Sequence, residues 1–248
     1  MADRPILLSS PMVLALLAGR KTQTRRIISH IRTCAIPGSR PITLTGDDLA
    51  TVFADASDFR RMDGNIWSWK SAPFSWQEGA AVTSWLAHIG YGVGDHLWVR
   101  ESYWQRGHWI ETPGLTKQGH VKWSFVPADD DIRFDRPDGE VRLGRHHRDP
   151  STVAWHKRLA RFMPRKYSRI TLDVTDVRVE RLQDISRGDA MEEGCPFPNM
   201  AKGPNPVDWY ANLWNSINGA GAWASNPFVV AYTFRVTLSN IDHIGGAA

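Results

Sequence analysis

Arg169 to Leu182 is the segment that most restricts the fold. Ile170, Leu172 and Val174 fall on one side of an extended chain, and after Thr175-Asp176 the alternation resumes through Val177 and Val179. A period of two over this length specifies a long strand with a buried face, which only a sheet can cover. Ile6 to Leu8, a segment starting near Thr22, His96 to Glu101, Val121 to Val126 and Phe228 to Leu238 supply further strands. The helical signals are shorter. Ser9 or Ser10 caps a helix over Met12 to Ala18, Pro11 suits its first position, and Gly19 supplies a left-handed stop. Ser186-Arg187-Gly188-Asp189 reads as a capping box with Asp for the usual Glu, and the helix it starts ends at Gly194. Val207 to Ile217 carries Trp209, Leu213 and Trp214 on one stripe and stops near Asn218-Gly219. Strands outnumbering short helices predict one barrel-like α+β domain over residues 1–248.

Two regions interrupt that pattern. Residues 29–90 read as an insertion: Pro37-Gly38-Ser39 and Pro41 break the chain, and Leu49, Val52, Phe53, Ala56 and Phe59 recur at helical spacing between Asp47 and Met62. Trp67, Trp69, Trp76 and Trp85 follow, so the segment is either a helical flap or a lid whose tryptophans stack on a base. Gly90-Tyr91-Gly92-Val93-Gly94-Asp95 precedes a strand and opens no helix, so it is a turn and not a phosphate-binding loop. Pro127 to Asp138 reads as an acidic loop. Residues 140–168 read as a basic loop region: from Arg142 to Arg169 there are nine Lys or Arg residues and one acid, with Trp155, Phe162 and Tyr167 among them. Such a run is either a solvated face or a contact for single-stranded RNA.

Composition removes several classes. The longest apolar run, Met12 to Ala18, is too short to cross a bilayer, and Met1-Ala2-Asp3-Arg4 opens no signal peptide. Two cysteines make neither a disulfide framework nor a metal quartet, no His-Glu-x-x-His occurs, and no Gly-x-Ser-x-Gly elbow is present. A cytoplasmic protein needing no metal or cofactor and touching no membrane is expected.

The densest chemistry is Gly19-Arg20-Lys21-Thr22-Gln23-Thr24-Arg25-Arg26. Gly-x-Lys-x-x-Thr-x-Arg after a short N-terminal helix resembles the signature of the ASCH family, relatives of the PUA-like RNA-binding barrels. Gly94-Asp95 leading into Leu97 to Glu101, the context Ala190-Met191-Glu192-Glu193-Gly194 and the last strand carry the rest of the likeness. The chain as a whole looks closest to longer ASCH proteins of phages and prophages. The resemblance implies a PUA-like β-barrel with short flanking helices. It further implies an amidohydrolase acting on N4-acetylcytidine through Lys21, Thr24 and Glu193. A threonine hydroxyl attacks only when a base takes its proton, and lysine is that base only when burial or nearby cations lower its pKa. Arg26, Arg100 and Glu101 are the expected substrate contacts. Glu101 shares a strand face with Leu97 and Val99, so it either pairs with a core arginine or lines a pocket. Lys21 and Thr24 point to opposite faces of a continuous strand, so they converge only if Lys21 sits on the turn before it. Two other readings share these residues: an RNA or modified-nucleic-acid binding module without catalysis, and a ribonuclease.

Overall fold

The computed structural model describes residues 2–28, 30–34, 42–45, 57–63, 66–74, 82–88, 90–142, 149–197 and 203–244. Strands dominate and the helices are short, which bears out the α+β class. The chain opens with β1 (Asp3–Leu7), α1 (Ser10–Leu17) and β2 (Gln23–Ile27). Next come β3 (His30–Cys34), β4 (Ile42–Thr45), β5 (Ser57–Asp63), β6 (Ile66–Phe74) and β7 (Val82–His88). β8 (His96–Arg100), β9 (Tyr103–Leu115), β10 (Val121–Arg133), β11 (Val141–Arg142), β12 (Ala154–Arg158) and β13 (Thr171–Arg181) follow. α2 (Arg187–Glu192), α3 (Pro206–Asn218) and β14 (Phe228–Thr237) complete it. The strands form three sheets, in the orders β1-β8-β13-β14-β2, β10-β9-β12-β11 and β4-β3-β7-β6-β5. No pairing between the end strands β1 and β2 occurs among the described residues.

The chain packs as two compact units, one of Met1–Arg4, Leu14–Leu97 and Thr171–Leu238, the other of Pro5–Val13, Trp98–Ile170 and Ser239–Ala248. In the first, β13 runs antiparallel to β14 from Thr171↔Thr237 to Arg181↔Phe228. The lapse of alternation at Thr175-Asp176 is a bulge: the register shifts between Val174 and Asp176. β2 pairs with the other edge of β14, setting Thr24 opposite Tyr232 and Arg25 opposite Ala231. The capping box at Ser186 and Asp189 forms as expected, and Asn205 caps α3 ahead of Pro206. The α3 stripe brings Tyr210 and Trp214 onto Leu182, Ile185, Ala190 and Val229, with Trp209 and Leu213 at the margin. Gly19 takes the left-handed conformation, φ 67°, that ends α1.

Three sequence expectations are corrected. Apart from a bend at Gly90, the insertion at 29–90 is strand wherever it is described, β3 to β7; Ser57–Asp63, at the end of the segment read as helix, is a strand paired with β6. Phe59 suits either period, and pairing with a distant strand decides it. Leu49, Val52, Phe53, Ala56 and Trp76 lie outside the described residues. The acidic segment after Pro127 is no loop at its start: β10 continues to Arg133, regaining β9 at Ile132↔Gln105 after a register shift. β10 is an edge strand, where Pro and Asp are tolerated because one row of backbone groups faces away from the sheet. The basic region at 140–168 is likewise structured where it is described, containing β11, β12 and two 3-10 turns at Ala160–Phe162 and Arg165–Tyr167. Among the described residues no helix is long and apolar enough to cross a membrane.

Trp214 closes the α3 core, so Trp214→Ala should cost about 3–5 kcal/mol in urea unfolding. Leu14→Ala, on the exposed side of α1, should stay within about 0.5 kcal/mol of the parent. Equal losses would show that the core is not organised around this ring.

Candidate functional site

The end of α1, the start of β2 and the end of α2 meet in the first unit. Lys21 forms an isolated antiparallel bridge with Glu193, and the Thr22 amide donates to the Glu192 carbonyl at 2.8 Å. Arg20 Nη1 donates to the Gly194 carbonyl at 2.6 Å. So close an approach needs a glycine at 194. Its φ is 107°, and a Cβ there would lie 2.8 Å from that of Ala15.

Around this junction three charged groups are buried together. Lys21, 1% exposed, donates through Nζ to Glu193 Oε2 at 2.7 Å and to the Glu193 carbonyl at 3.0 Å. One of its three N–H directions is unused among the described residues. Arg25 Nη1 donates to Glu193 Oε1 at 3.2 Å and to Gln23 Oε1 at 3.3 Å, while its Nε donates to Glu180 Oε1 at 2.8 Å. Arg25 Nη2 stands 2.7 Å from the same Glu180 oxygen, without the angle of a hydrogen bond, and 3.5 Å from Asp189. Gln23 Nε2 completes the ring by donating to Glu192 at 2.5 Å. Burial lowers the Lys21 pKa below its ordinary value, against the opposing pull of Glu193, and the charges of Arg26 and Arg25 add to the lowering. Burial also raises the Tyr210 hydroxyl far above its usual range, and the neighbouring Glu193 charge adds to it.

Of the residues singled out from sequence, Lys21 and Glu193 are therefore in direct contact. Thr24 lies on β2 between Gln23 and Arg25, whose side chains both reach the carboxylates, so strand alternation turns Thr24 to the other face. It is 5% exposed, and its hydroxyl makes no hydrogen bond among the described residues. Arg26 is exposed, and its charge acts on the Tyr91 and Tyr232 hydroxyls as well as on Lys21. Arg100 and Glu101 belong to the second unit. Arg100 stacks over Trp98 at 4.6 Å, and Glu101 is held by Arg169 through two bonds of 2.9 Å, the core-arginine alternative. Glu180 and Tyr210 were missed, and Arg25 was seen only as a cation near Lys21, not as a residue of the site. Parity could have found Arg25: residues 21, 23 and 25 share a face when the chain is extended. Among the described residues no three His, Cys, Asp or Glu side chains are grouped to hold a metal ion.

Asp189 ties the cap of α2 to this network. Burial alone would raise its pKa, but the Ser186 hydroxyl, Gln23, Arg25 and Arg178 together hold it down at about 2. A depressed carboxylate stabilises the fold above its unfolded pKa and loses that contribution as pH falls through the folded value, here between about pH 4 and 2. The contribution is about 2 kcal/mol. Urea unfolding of the parent should therefore weaken over that window, and Asp189→Asn should flatten the dependence; an unchanged slope would remove Asp189 from it. Comparisons of the chain with protein-family models, curated proteins and solved structures each return no match.

Proposed function

We propose that Lys21 and Glu193 are the acid–base pair of an amidohydrolase that removes an acyl group from the exocyclic amine of N4-acylated cytosine or cytidine. The observation that carries this reading is a buried amine, lowered in pKa by its burial, held 2.7 Å from a carboxylate contributed from far along the chain. General acid–base catalysis asks for such a pair, because a lysine at its ordinary pKa is protonated at neutral pH and accepts nothing. The strands of the first unit are taken, in this reading, as part of the PUA-like barrel that the ASCH-type motif implies.

Thr24 is the nucleophile. Its hydroxyl attacks the acyl carbon while its proton passes to neutral Lys21, giving a tetrahedral intermediate beside the cationic Lys21 and Arg25. Collapse breaks the bond between the acyl carbon and N4, and a proton delivered through Glu193 leaves with the free amine of cytosine. Water then cleaves the threonine ester, releasing the carboxylic acid and restoring the hydroxyl. Support for Thr24 comes from its burial without a hydrogen-bond partner among the described residues; support for Arg26 as a substrate contact comes from its charge acting on both Lys21 and the tyrosine hydroxyls.

Turnover of N4-acetylcytidine, followed by the ultraviolet change on loss of the acyl group, tests the proposal. Lys21→Ala, Thr24→Ala and Glu193→Gln should each reduce kcat/KM by about 10²-fold or more, with folding checked by urea unfolding. The parent rate should rise with pH through the Lys21 pKa, at a midpoint below 10.5, because the neutral amine is the active form. No turnover by the parent of acetylated cytosine, cytidine or RNA would end the enzyme reading, and full activity in Thr24→Ala would end the role of that hydroxyl.

A further inference from the structure

The second unit sorts its cations into two groups. Arg142 is fixed by Glu140 at 2.8 Å and by the Asp149 carbonyl. Arg165 pairs with Asp242 at 2.6 Å, Lys166 with Asp130 at 2.8 Å and Arg169 with Glu101 at 2.9 Å. Lys157, Arg158 and Arg161 pair with no carboxylate among the described residues. Arg145 and Arg148 lie outside those residues. The three unpaired cations all line one cavity of about 610 Å³, within the range of about 300–1,000 Å³ typical of small-molecule sites.

Its other walls are aromatic. Trp109 on β9 stands opposite Phe125 on β10, edge to face at 5.3 Å, and Trp123 follows two residues before Phe125 on the same face. Gly107 makes room for this, since a Cβ at 107 would lie 2.5 Å from the Phe125 ring. The Trp109 indole donates to His156 Nδ1 at 3.3 Å, which fixes its ring plane. The Arg158 guanidinium stacks 4.1 Å from the Phe125 ring centre and 5.3 Å from that of Trp109. Its buried Nε finds no hydrogen-bond partner among the described residues. Arg161 stands 4.9 Å over Phe162, and that ring is 52% exposed. Glu111, the cross-strand partner of Trp123, does not line the cavity.

We propose that this cavity binds a nucleotide unit, its base stacked on Phe162 and Trp123 and its phosphate held by Arg158, Arg161 and Lys157. Rings with unpaired guanidinium groups beside them suit a planar base joined to an anion. A solvated basic face would leave its cations scattered, and an apolar core would leave none unpaired. Base stacking is tolerant of sequence and the phosphate term is salt-dependent, so the site takes any nucleotide whose base is free of a duplex. The site is built without Lys21, Thr24 or Glu193 and stands or falls apart from the hydrolase reading.

The test uses the full chain and a fluorescein-labelled single-stranded RNA of about ten nucleotides, read by anisotropy across a salt series. The single strand should bind, with an affinity that falls as salt rises, while the same sequence as a duplex binds at least about tenfold more weakly. Phe162→Ala and Arg161→Gln, both at exposed positions, should each weaken binding about tenfold, and Arg161→Gln alone should reduce the salt slope by about one. Cytidine monophosphate as competitor distinguishes the sources. Displacement at equal nucleotide concentration identifies a free nucleotide as ligand; displacement only at large excess identifies the strand. Leu14→Ala, at an exposed position outside both sites, should bind as the parent does. Absence of binding to both strand and mononucleotide, equal displacement by inorganic phosphate, or unchanged affinity in both pocket variants would overturn the proposal.

Discussion

A lysine amine removed from water has to be met by a negative charge, and in this fold it is met by Glu193, 172 residues further on. That requirement joins the two ends of the first unit's chain. The turn at Gly19 sets Lys21 at the start of β2, the capping box aims α2, and Gly194 lets the end of that helix lie against α1. Each device is small, yet together they place the Glu193 carboxylate between Lys21 and Arg25. Removing one partner would strand the other charge at a cost of about 3–5 kcal/mol, whereas a well-packed apolar pair of similar shape would hold the junction as well. Stability alone therefore gives no reason for charges here; the proposed proton transfer would.

The second unit treats charge differently. Arg142, Arg165, Lys166 and Arg169 are matched to acids, and these bridges fasten turns and strands to one another. The exposed pairs among them, Arg165–Asp242 and Lys166–Asp130, contribute about 0–1 kcal/mol each, so they order the surface more than they stabilise it. Against that background the three unmatched cations around Trp109 and Phe125 stand out. A guanidinium stacked on rings keeps its charge and its donor edge available, which a carboxylate partner would have consumed.

Much of the local structure could be read from the residues. The alternation from Ile170 to Val179, the box at Ser186, the stripe of α3 and the stop at Gly19 are each set by neighbours within a few positions, and all four form. What could not be read depends on distant partners. β9 carries Arg106, Gly107 and Pro113 among its apolar residues, so its own pattern is weak, and only strands on both sides make it one. Likewise nothing near Arg165 announces Asp242, so the basic run looked uniform when only part of it is free of acids. The site was half legible. The Lys21–Glu193 contact followed from motif likeness, while Arg25 was passed over for Arg26, although alternation from Lys21 points to the odd-numbered residues.

That same alternation sharpens what Thr24 must be. Its neighbours Gln23 and Arg25 spend their donors on Glu192, Glu180 and Glu193, and its cross-strand partner Tyr232 accepts from the Tyr91 amide at 3.3 Å. Beside them the Thr24 hydroxyl makes no hydrogen bond among the described residues. Lys21 reaches the same Glu193 carboxylate as Arg25, so its side chain lies on the face opposite Thr24. Among the described residues Lys21 keeps one N–H direction unused, Arg25 Nη2 lacks a hydrogen bond and the Thr24 hydroxyl has no partner. In the proposed reaction a substrate carbonyl would have to reach the Lys21 amine and the Thr24 hydroxyl from the two faces of β2.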